Sequence, residues 1–258
     1  MSEHRSLFDL SGSTALVTGG NGGIGLGVAR GLGLAGSRVV LVARDSAKGD
    51  RAVRELEGLG ISAAFVAADL TSPDRCRAAY VESKDAFGAP DILVNNAGTN
   101  LAKQPQDYSA DEWWRIQHTN LDAAYFLSVS AFADMAAAGR GKIINIGSLK
   151  ATFASAASVP YAASKGAVVQ LTRGLAVAWG PHHIQCNVII PGWITTDMTE
   201  RVLRRDPQTE NAVLDRTPAG RWGRPDDLQG AAVFLASAAS DFVTGVSIQV
   251  DGGYSVKG

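Results

Sequence analysis

The chain has 258 residues, of which 46% are hydrophobic and 19% charged, and its formal net charge is −1. A chain of this length buries roughly 75% of its unfolded surface, so the mixture is that of an ordinary globular domain and not of a disordered segment. Dispersed charge with no basic face excludes nucleic acid as the natural partner, and two isolated cysteines (Cys76, Cys186) with four scattered histidines offer no disulfide framework and no metal site.

The N-terminal stretch MSEHRSLFDLSGS has no apolar run bounded by a cleavage signal, and no stretch reaches the ~18 apolar residues of a spanning helix. The expectation is a soluble, cytoplasmic protein with no membrane partner. Short β-branched apolar runs then alternate with longer helical patterns. Strands are expected at Ala15–Thr18, Arg38–Ala43, Ala63–Ala67, Ile92–Asn95, Lys142–Ile146, Ile184–Ile190 and Ser247–Val250. Runs such as VVLVA and KIINI are continuously apolar, as in strands covered on both faces. Helices are expected at Gly23–Ala35, Ala47–Leu59, Pro73–Phe87, Ala110–Ala138, Tyr161–Trp179 and Asp226–Ala239. Asp45 is placed to cap the second helix, and Ser72-Pro73 supplies a cap and a first-turn proline for the third.

This alternation implies an α/β fold: one doubly wound domain over residues 1–258, with about seven parallel strands and helices on both faces. The segment 195–223 breaks the rhythm. It carries Arg201, Arg204, Arg205 and Arg216 and is too long for a bare connection, so it reads either as a lid over a site or as a solvated helical excursion.

Between the first strand and the first helix lies Thr18-Gly19-Gly20-Asn21-Gly22-Gly23-Ile24-Gly25. Glycines there let the backbone approach a pyrophosphate, and the helix N-terminus behind them offers free N–H groups and a positive dipole end. At the end of the second strand, eighteen residues past Gly25, stands Ala43 and then Arg44. An NAD site places a carboxylate here for the ribose 2′-hydroxyl; an arginine fork suits a 2′-phosphate. Asp45 is accounted for as a helix cap, so NADP(H) is favoured over NAD(H). The other reading makes Arg44 a surface charge and gives the ribose to Asp45.

Tyr161-Ala162-Ala163-Ser164-Lys165 puts a phenol and an ammonium at i and i+4 on one helix face. A free tyrosine, with a pKa near ~10, is a poor base at neutral pH, and a nearby cation would favour its phenolate. Alone, such a pair is more often an aromatic packed beside a lysine stem. Ser148, however, follows the fifth strand, Asn95-Asn96-Ala97-Gly98 ends the fourth, and Pro191-Gly192-Trp193-Ile194-Thr195 ends the sixth. All fall at the carboxyl ends of parallel strands, where ligands of such sheets bind.

Together these motifs resemble the short-chain dehydrogenase/reductase family over nearly the whole chain, and its late motifs TPAGRWGRPDDL and VDGG resemble the branch of gluconate 5-dehydrogenases and 2-deoxygluconate 3-dehydrogenases. The resemblance implies a Rossmann-type fold and a hydride transfer between a nicotinamide cofactor and a carbonyl/alcohol pair. It implies a tetrad of Asn120, Ser148, Tyr161 and Lys165. Tyr161 would exchange the proton, Lys165 would lower the Tyr161 pKa and bond the nicotinamide ribose, Ser148 would orient the substrate oxygen, and Asn120 would hold a relay water. Cofactor contacts would come from Thr18, Gly19, Asn21, Gly23, Ile24, Gly25, Arg44, Asp69, Leu70, Asn96, Ala97, Gly98, Tyr161, Lys165, Pro191, Gly192, Ile194 and Thr195.

For the substrate, Asn100, Lys103, Lys150 and Trp193 flank the expected site, and Lys150 or a lid arginine suits a sugar-acid carboxylate. A keto or hydroxy sugar acid or polyol is the first reading. A 3-oxoacyl-thioester reductase on the same scaffold is the alternative, and a dinucleotide-sensing module without catalysis is the remote one. Helix Ala110–Ala138 carries one apolar stripe at Leu121, Tyr125, Val129 and Phe132 and another at Ala124, Leu127 and Ala131. Two stripes exceed what packing on one sheet needs, and with the resemblance they lead to an expected homotetramer or homodimer.

Overall fold

Strands buried on both faces build the sheet before any loop is considered. In the computed structural model, which describes residues 6–205 and 207–257, seven strands run parallel in the order β3-β2-β1-β4-β5-β6-β7. They are β1 (Thr14–Thr18), β2 (Arg38–Ala43), β3 (Ala63–Ala67), β4 (Ile92–Asn95), β5 (Gly141–Ile146), β6 (Ile184–Pro191) and β7 (Ser247–Val250). The first five residues of the N-terminal stretch and the Arg205 side chain lie outside the described residues.

Successive side chains of a strand face opposite ways, so each strand feeds two cores. Val17, Leu41, Val94, Ile144 and Ile189 meet α1 (Gly23–Leu34), α2 (Ser46–Glu57) and α9 (Gln229–Ala236) on one face. Leu16, Val40, Leu93, Ile143 and Cys186 meet α3 (Pro73–Phe87), α5 (Ala123–Ala138) and α6 (Val159–Trp179) on the other. Each fully buried leucine or isoleucine contributes about 1.5–3 kcal/mol, which is why both faces need to be covered. The chain leaves β3 at one edge and returns through α3 to β4, beside β1. The connections after β1 and β4 therefore diverge and open a crevice at their carboxyl ends.

Helix ends follow local chemistry. Asp45 Oδ1 accepts the Lys48 amide at 2.9 Å, Ser72 Oγ accepts the Arg75 amide at 3.4 Å, and Ser109 with Glu112 forms a reciprocal capping box for α4 (Ala110–Gln117). The helix expected to run unbroken from Ala110 to Ala138 is instead α4, a π-turn over His118–Asp122, and α5. A π-turn inserts one residue into the hydrogen-bond ladder without changing the apolar pattern, so periodicity passes over it. By length and composition alone this composite passes for a membrane-spanning helix, a test that core helices also pass, and 33% of its most apolar window is buried. One of its stripes, with Leu127 and Ala131, packs against the sheet, while Tyr125 and Val129 of the other stay exposed. The last helix is shorter than expected because 3-10 turns flank it at Pro225–Leu228 and Ala238–Ser240.

The 195–223 segment forms α7 (Asp197–Arg205) and α8 (Gln208–Arg216). Its ends meet: Ile194 and Gly223 form a parallel bridge, with Gly223 N donating to Trp193 O at 2.8 Å and Thr195 N to Gly223 O at 2.9 Å.

Candidate active site

At the end of β1 the glycine turn is held by side chains of β4's extension. Thr18 Oγ1 accepts the amides of Asn96 and Ala97, both at 3.0 Å, and Asn96 Nδ2 donates to the carbonyls of Thr18 (2.9 Å) and Gly19 (3.2 Å). Gly19 adopts φ 62°, a left-handed conformation that side chains disfavour, and a Cβ on Gly25 would lie 2.3 Å from the Gly19 carbonyl oxygen. The turn and α1 can approach this closely only as glycines. Asn96 and Thr18 thus appear as braces of the turn, whereas the sequence had offered them only as ligand contacts.

The N-cap of α1, Gly22, carries no capping side chain, and its first turn carries no acidic residue. Asn21 sits in the turn, and the Ile24 side chain packs into the core, so the amides from Gly23 to Gly25 are what this end presents. Leu70 and Ile194 are likewise core, and Pro191, which ends β6, is buried. Gly192 backs onto Asp251, and Thr195 is exposed.

Two features of the crevice suit a dinucleotide. Asp69 Oδ2 is taken by Arg75 (2.6 Å) and Thr71 (3.1 Å), but Asp69 Oδ1 is buried without a partner, an acceptor suited to an exocyclic amine. Arg44 is exposed beyond Ala43 and makes no ion pair among the described residues, while Asp45 is committed to its cap. The residues present therefore fit an adenosine with a phosphorylated ribose.

Tyr161 and Lys165 lie in the first turns of α6, and Ser148 follows β5 and caps the short turn Leu149–Ala151 through Lys150 N at 3.1 Å. Lys165 is buried and donates from Nζ to the Ile146 carbonyl at 2.7 Å; Nζ also lies 5.8 Å from the Tyr161 ring centroid. Burial pushes the Lys165 ammonium down to about 8. Burial also pushes the Tyr161 phenol above its ordinary value, with the Ser148 hydroxyl opposing it. The expected lowering of Tyr161 by Lys165 is thus reversed in the chain by itself: desolvation penalises phenolate and ammonium alike, and the ammonium donates to a carbonyl.

Asn120 is in the π-turn. Its Nδ2 donates to Thr99 O and Ser164 Oγ, both at 3.0 Å, and its Oδ1 accepts the Thr99 amide at 2.7 Å. Both donors are used, so the side chain positions the loop after β4, and a water on Asn120 is left with the second lone pair of Oδ1 or the main chain. Ser164, its partner, lies within the Tyr161–Lys165 spacing but was not singled out there, since only the fold shows what an interior helical serine touches. Gly98 lies beside Lys165, and a Cβ there would only touch Nζ, at 3.8 Å.

On the substrate side, Lys150 is half-buried with Nζ 5.9 Å from the Trp193 ring centroid; burial lowers it, and it has no carboxylate partner among the described residues. Asn100 donates weakly to Ser158 Oγ (3.5 Å) and leaves Oδ1 buried and unpartnered. Lys103 pairs with Glu112 at 2.6 Å. Tyr108 bonds Leu101 O and ties this loop to Ala157 (3.4 Å), a contact with no sequence signal.

Comparison with known proteins agrees with this geometry. A family model described as enoyl-(acyl carrier protein) reductase matches residues 19–255. Gluconate 5-dehydrogenase of Gluconobacter oxydans is 42% identical over 98% of this chain and 99% of its own length. The 2-dehydro-3-deoxy-D-gluconate 5-dehydrogenase of Escherichia coli is 40% identical over 98% and 99%. The crystal structure of a gluconate 5-dehydrogenase from Burkholderia cenocepacia J2315 in complex with NADP and tartrate is similar with a TM-score of 0.91 and 41% identity, covering 96% of this chain and 97% of that one.

Proposed function

We propose that this chain, which belongs to the short-chain dehydrogenase/reductase family and is an oxidoreductase acting on CH–OH groups, works on a keto or hydroxy sugar acid with NADP(H). The observation that carries the reading is the meeting of Ser148, Tyr161 and Lys165 at the end of β5, beside an unpaired cation, Lys150, on the same loop. When bound, the nicotinamide accepts or donates the hydride. Ser148 holds the substrate oxygen, and Tyr161 gives that oxygen a proton in reduction or takes one in oxidation. A phenol held above its ordinary pKa stays protonated at neutral pH, which suits the donor role. Lys165, anchored on Ile146, stands beside Gly98, where the nicotinamide ribose would lie.

Cofactor choice rests on Arg44 at the end of β2, beyond Ala43 and beside an Asp45 committed to its helix cap; the NADP in the Burkholderia structure points the same way. Segment 195–223 is the lid: Thr196 packs over Gly23, and Asp197 pairs with Lys48 at 2.9 Å. The exposed Tyr125–Val129 stripe supports a homo-oligomer, a tetramer or dimer.

The test is a panel of D-gluconate, 5-keto-D-gluconate, 2-dehydro-3-deoxy-D-gluconate, D-glucitol and an acetoacetyl thioester, each assayed with both cofactors by nicotinamide absorbance. The highest kcat/KM is expected for a sugar-acid pair, with NADP(H) preferred by at least about tenfold, one or more charge-assisted hydrogen bonds. A thioester at the head of the ranking would replace this reading with a 3-oxoacyl-thioester reductase, and no turnover of any substrate would leave a cofactor-binding module.

A further inference from the structure

Arg216 ends α8, and the fold gives its guanidinium a built setting without an anion. Its Cζ lies 4.7 Å from the Phe153 ring centroid and 4.8 Å from that of Tyr254, and its Nε donates to the Tyr254 carbonyl at 3.3 Å. Neither Nη1 nor Nη2 has a partner among the described residues. Other arginines of the segment and its exit differ: Arg221 is held by both oxygens of Asp227, at 2.7 and 2.8 Å, and Arg204 reaches Glu200. Two aromatic neighbours restrict the rotamers of Arg216 while its terminal nitrogens stay available. A fork fixed in this way is a receptor for a planar, two-oxygen anion.

Its place in the fold connects it with the reaction. Phe153 N donates to Leu149 O at 2.8 Å, which puts the ring one turn past Ser148 and Lys150. Phe153, Trp193 and Tyr254 pack on one cluster with Leu149, Val188 and Ile190, below the end of β6. Lys150 stacks on Trp193 of that wall, and Arg216 stacks on Phe153 and Tyr254. Two cations without carboxylate partners therefore share one aromatic wall. The lone ammonium supplies positive potential; only the fork can fix the orientation of an acid group.

We propose that Arg216 is the residue that reads the substrate's carboxylate, gripping it through Nη1 and Nη2 while the carbon to be oxidised or reduced lies at Tyr161. This rests on the sugar-acid reading and adds which side chain enforces it. A residue that merely bolted α8 to the C-terminal segment would show the same stacking, but it would not distinguish a charged ligand from a neutral one.

The experiment is calorimetric titration of the NADPH-loaded enzyme with D-gluconate and with its neutral amide, D-gluconamide, for the wild type, Arg216→Met and Arg216→Lys. The wild type should bind the acid at least about tenfold tighter than the amide, Arg216→Met should bring the ratio to within about twofold of unity, and Arg216→Lys should lie between, a point charge replacing a fork. Thermal melts of both variants check that they fold, and the lysine variant keeps the test open should the methionine variant unfold. An unchanged ratio in the variants, or a wild type that does not prefer the acid, overturns the proposal. A wild type that neither binds nor turns over any sugar acid refutes the underlying reading as well. Activity on sugar acids with an unchanged ratio in Arg216→Met refutes only the role of Arg216.

Discussion

The two flanks of the crevice are held together differently. On the nucleotide side the contacts are close and partly buried: Thr18 and Asn96 tie the glycine turn to β4, and Gly25 abuts the Gly19 carbonyl with no room for a methyl group. On the other side segment 195–223 is attached by the Ile194–Gly223 bridge, the stack of Arg216 on two rings, and the exposed Lys48–Asp197 pair, a class of contact worth about 0–1 kcal/mol. One flank is fixed by glycine packing with no spare room; the other is held by fewer contacts, some of them exposed. A substitution should therefore damage folding and binding together on the first side, and selectivity alone on the second.

The largest effect should fall where the flanks meet. Tyr161→Phe removes the proton carrier and keeps the ring, and should lower kcat by about 10³-fold, within the usual range for a general acid or base, with NADPH affinity by fluorescence titration nearly unchanged. In the wild type, the raised Tyr161 pKa means that the proton-accepting phenolate accumulates only in alkaline solution. Oxidation kcat/KM should accordingly climb with pH above neutrality, while reduction, which uses the protonated phenol, should be level near neutrality and fall at high pH. Profiles with the opposite slopes would remove Tyr161 from the proton transfer.

A smaller effect is expected at Arg44, which belongs to the first flank by position yet is exposed like the second. Arg44→Asp should cut the NADPH-over-NADH preference in kcat/KM by about 10- to 100-fold, corresponding to the 1.5–3 kcal/mol of hydrogen bonds to a charged group. It should leave the melting temperature near that of the wild type, and an unaltered preference would show that the 2′-phosphate is read elsewhere. Gly25→Ala sharpens the contrast most directly, through the smallest chemical change. Its methyl group has no space, so stability in urea should fall by about 1–3 kcal/mol and NADPH affinity should drop in the same variant. Weakened binding at undiminished stability would mean that the turn is not preformed.

The sheet was readable to within a residue at each end because buried parallel strands are continuous apolar runs between polar turns, and four of the seven, such as Arg38–Ala43, match in both bounds. The caps at Asp45 and Ser72 were readable because their chemistry is local. The π-turn at His118–Asp122 was not, since it adds a residue without altering composition. Long-range pairings were equally hidden: nothing in the spacing joins Lys103 to Glu112, Asn120 to Ser164, or Phe153 to Arg216 and Tyr254. The direction of the Tyr161 shift also escaped, because helical spacing gives the distance to a cation but not the depth of burial around both groups. Residue types at strand ends were legible; which of them are spent on one another was a property of the fold.

The paired ends of segment 195–223 have a consequence for how such a protein can change. Because the chain leaves at Ile194 and re-enters at Gly223 with those two residues bridged, β6 before the segment and the 3-10 turn and α9 after it are brought together across its ends. Closing such a loop costs only about 0.6 kcal/mol more for each doubling of its length. The segment is therefore a cassette: its length can change at small entropic cost while the strands on either side of it stay in register.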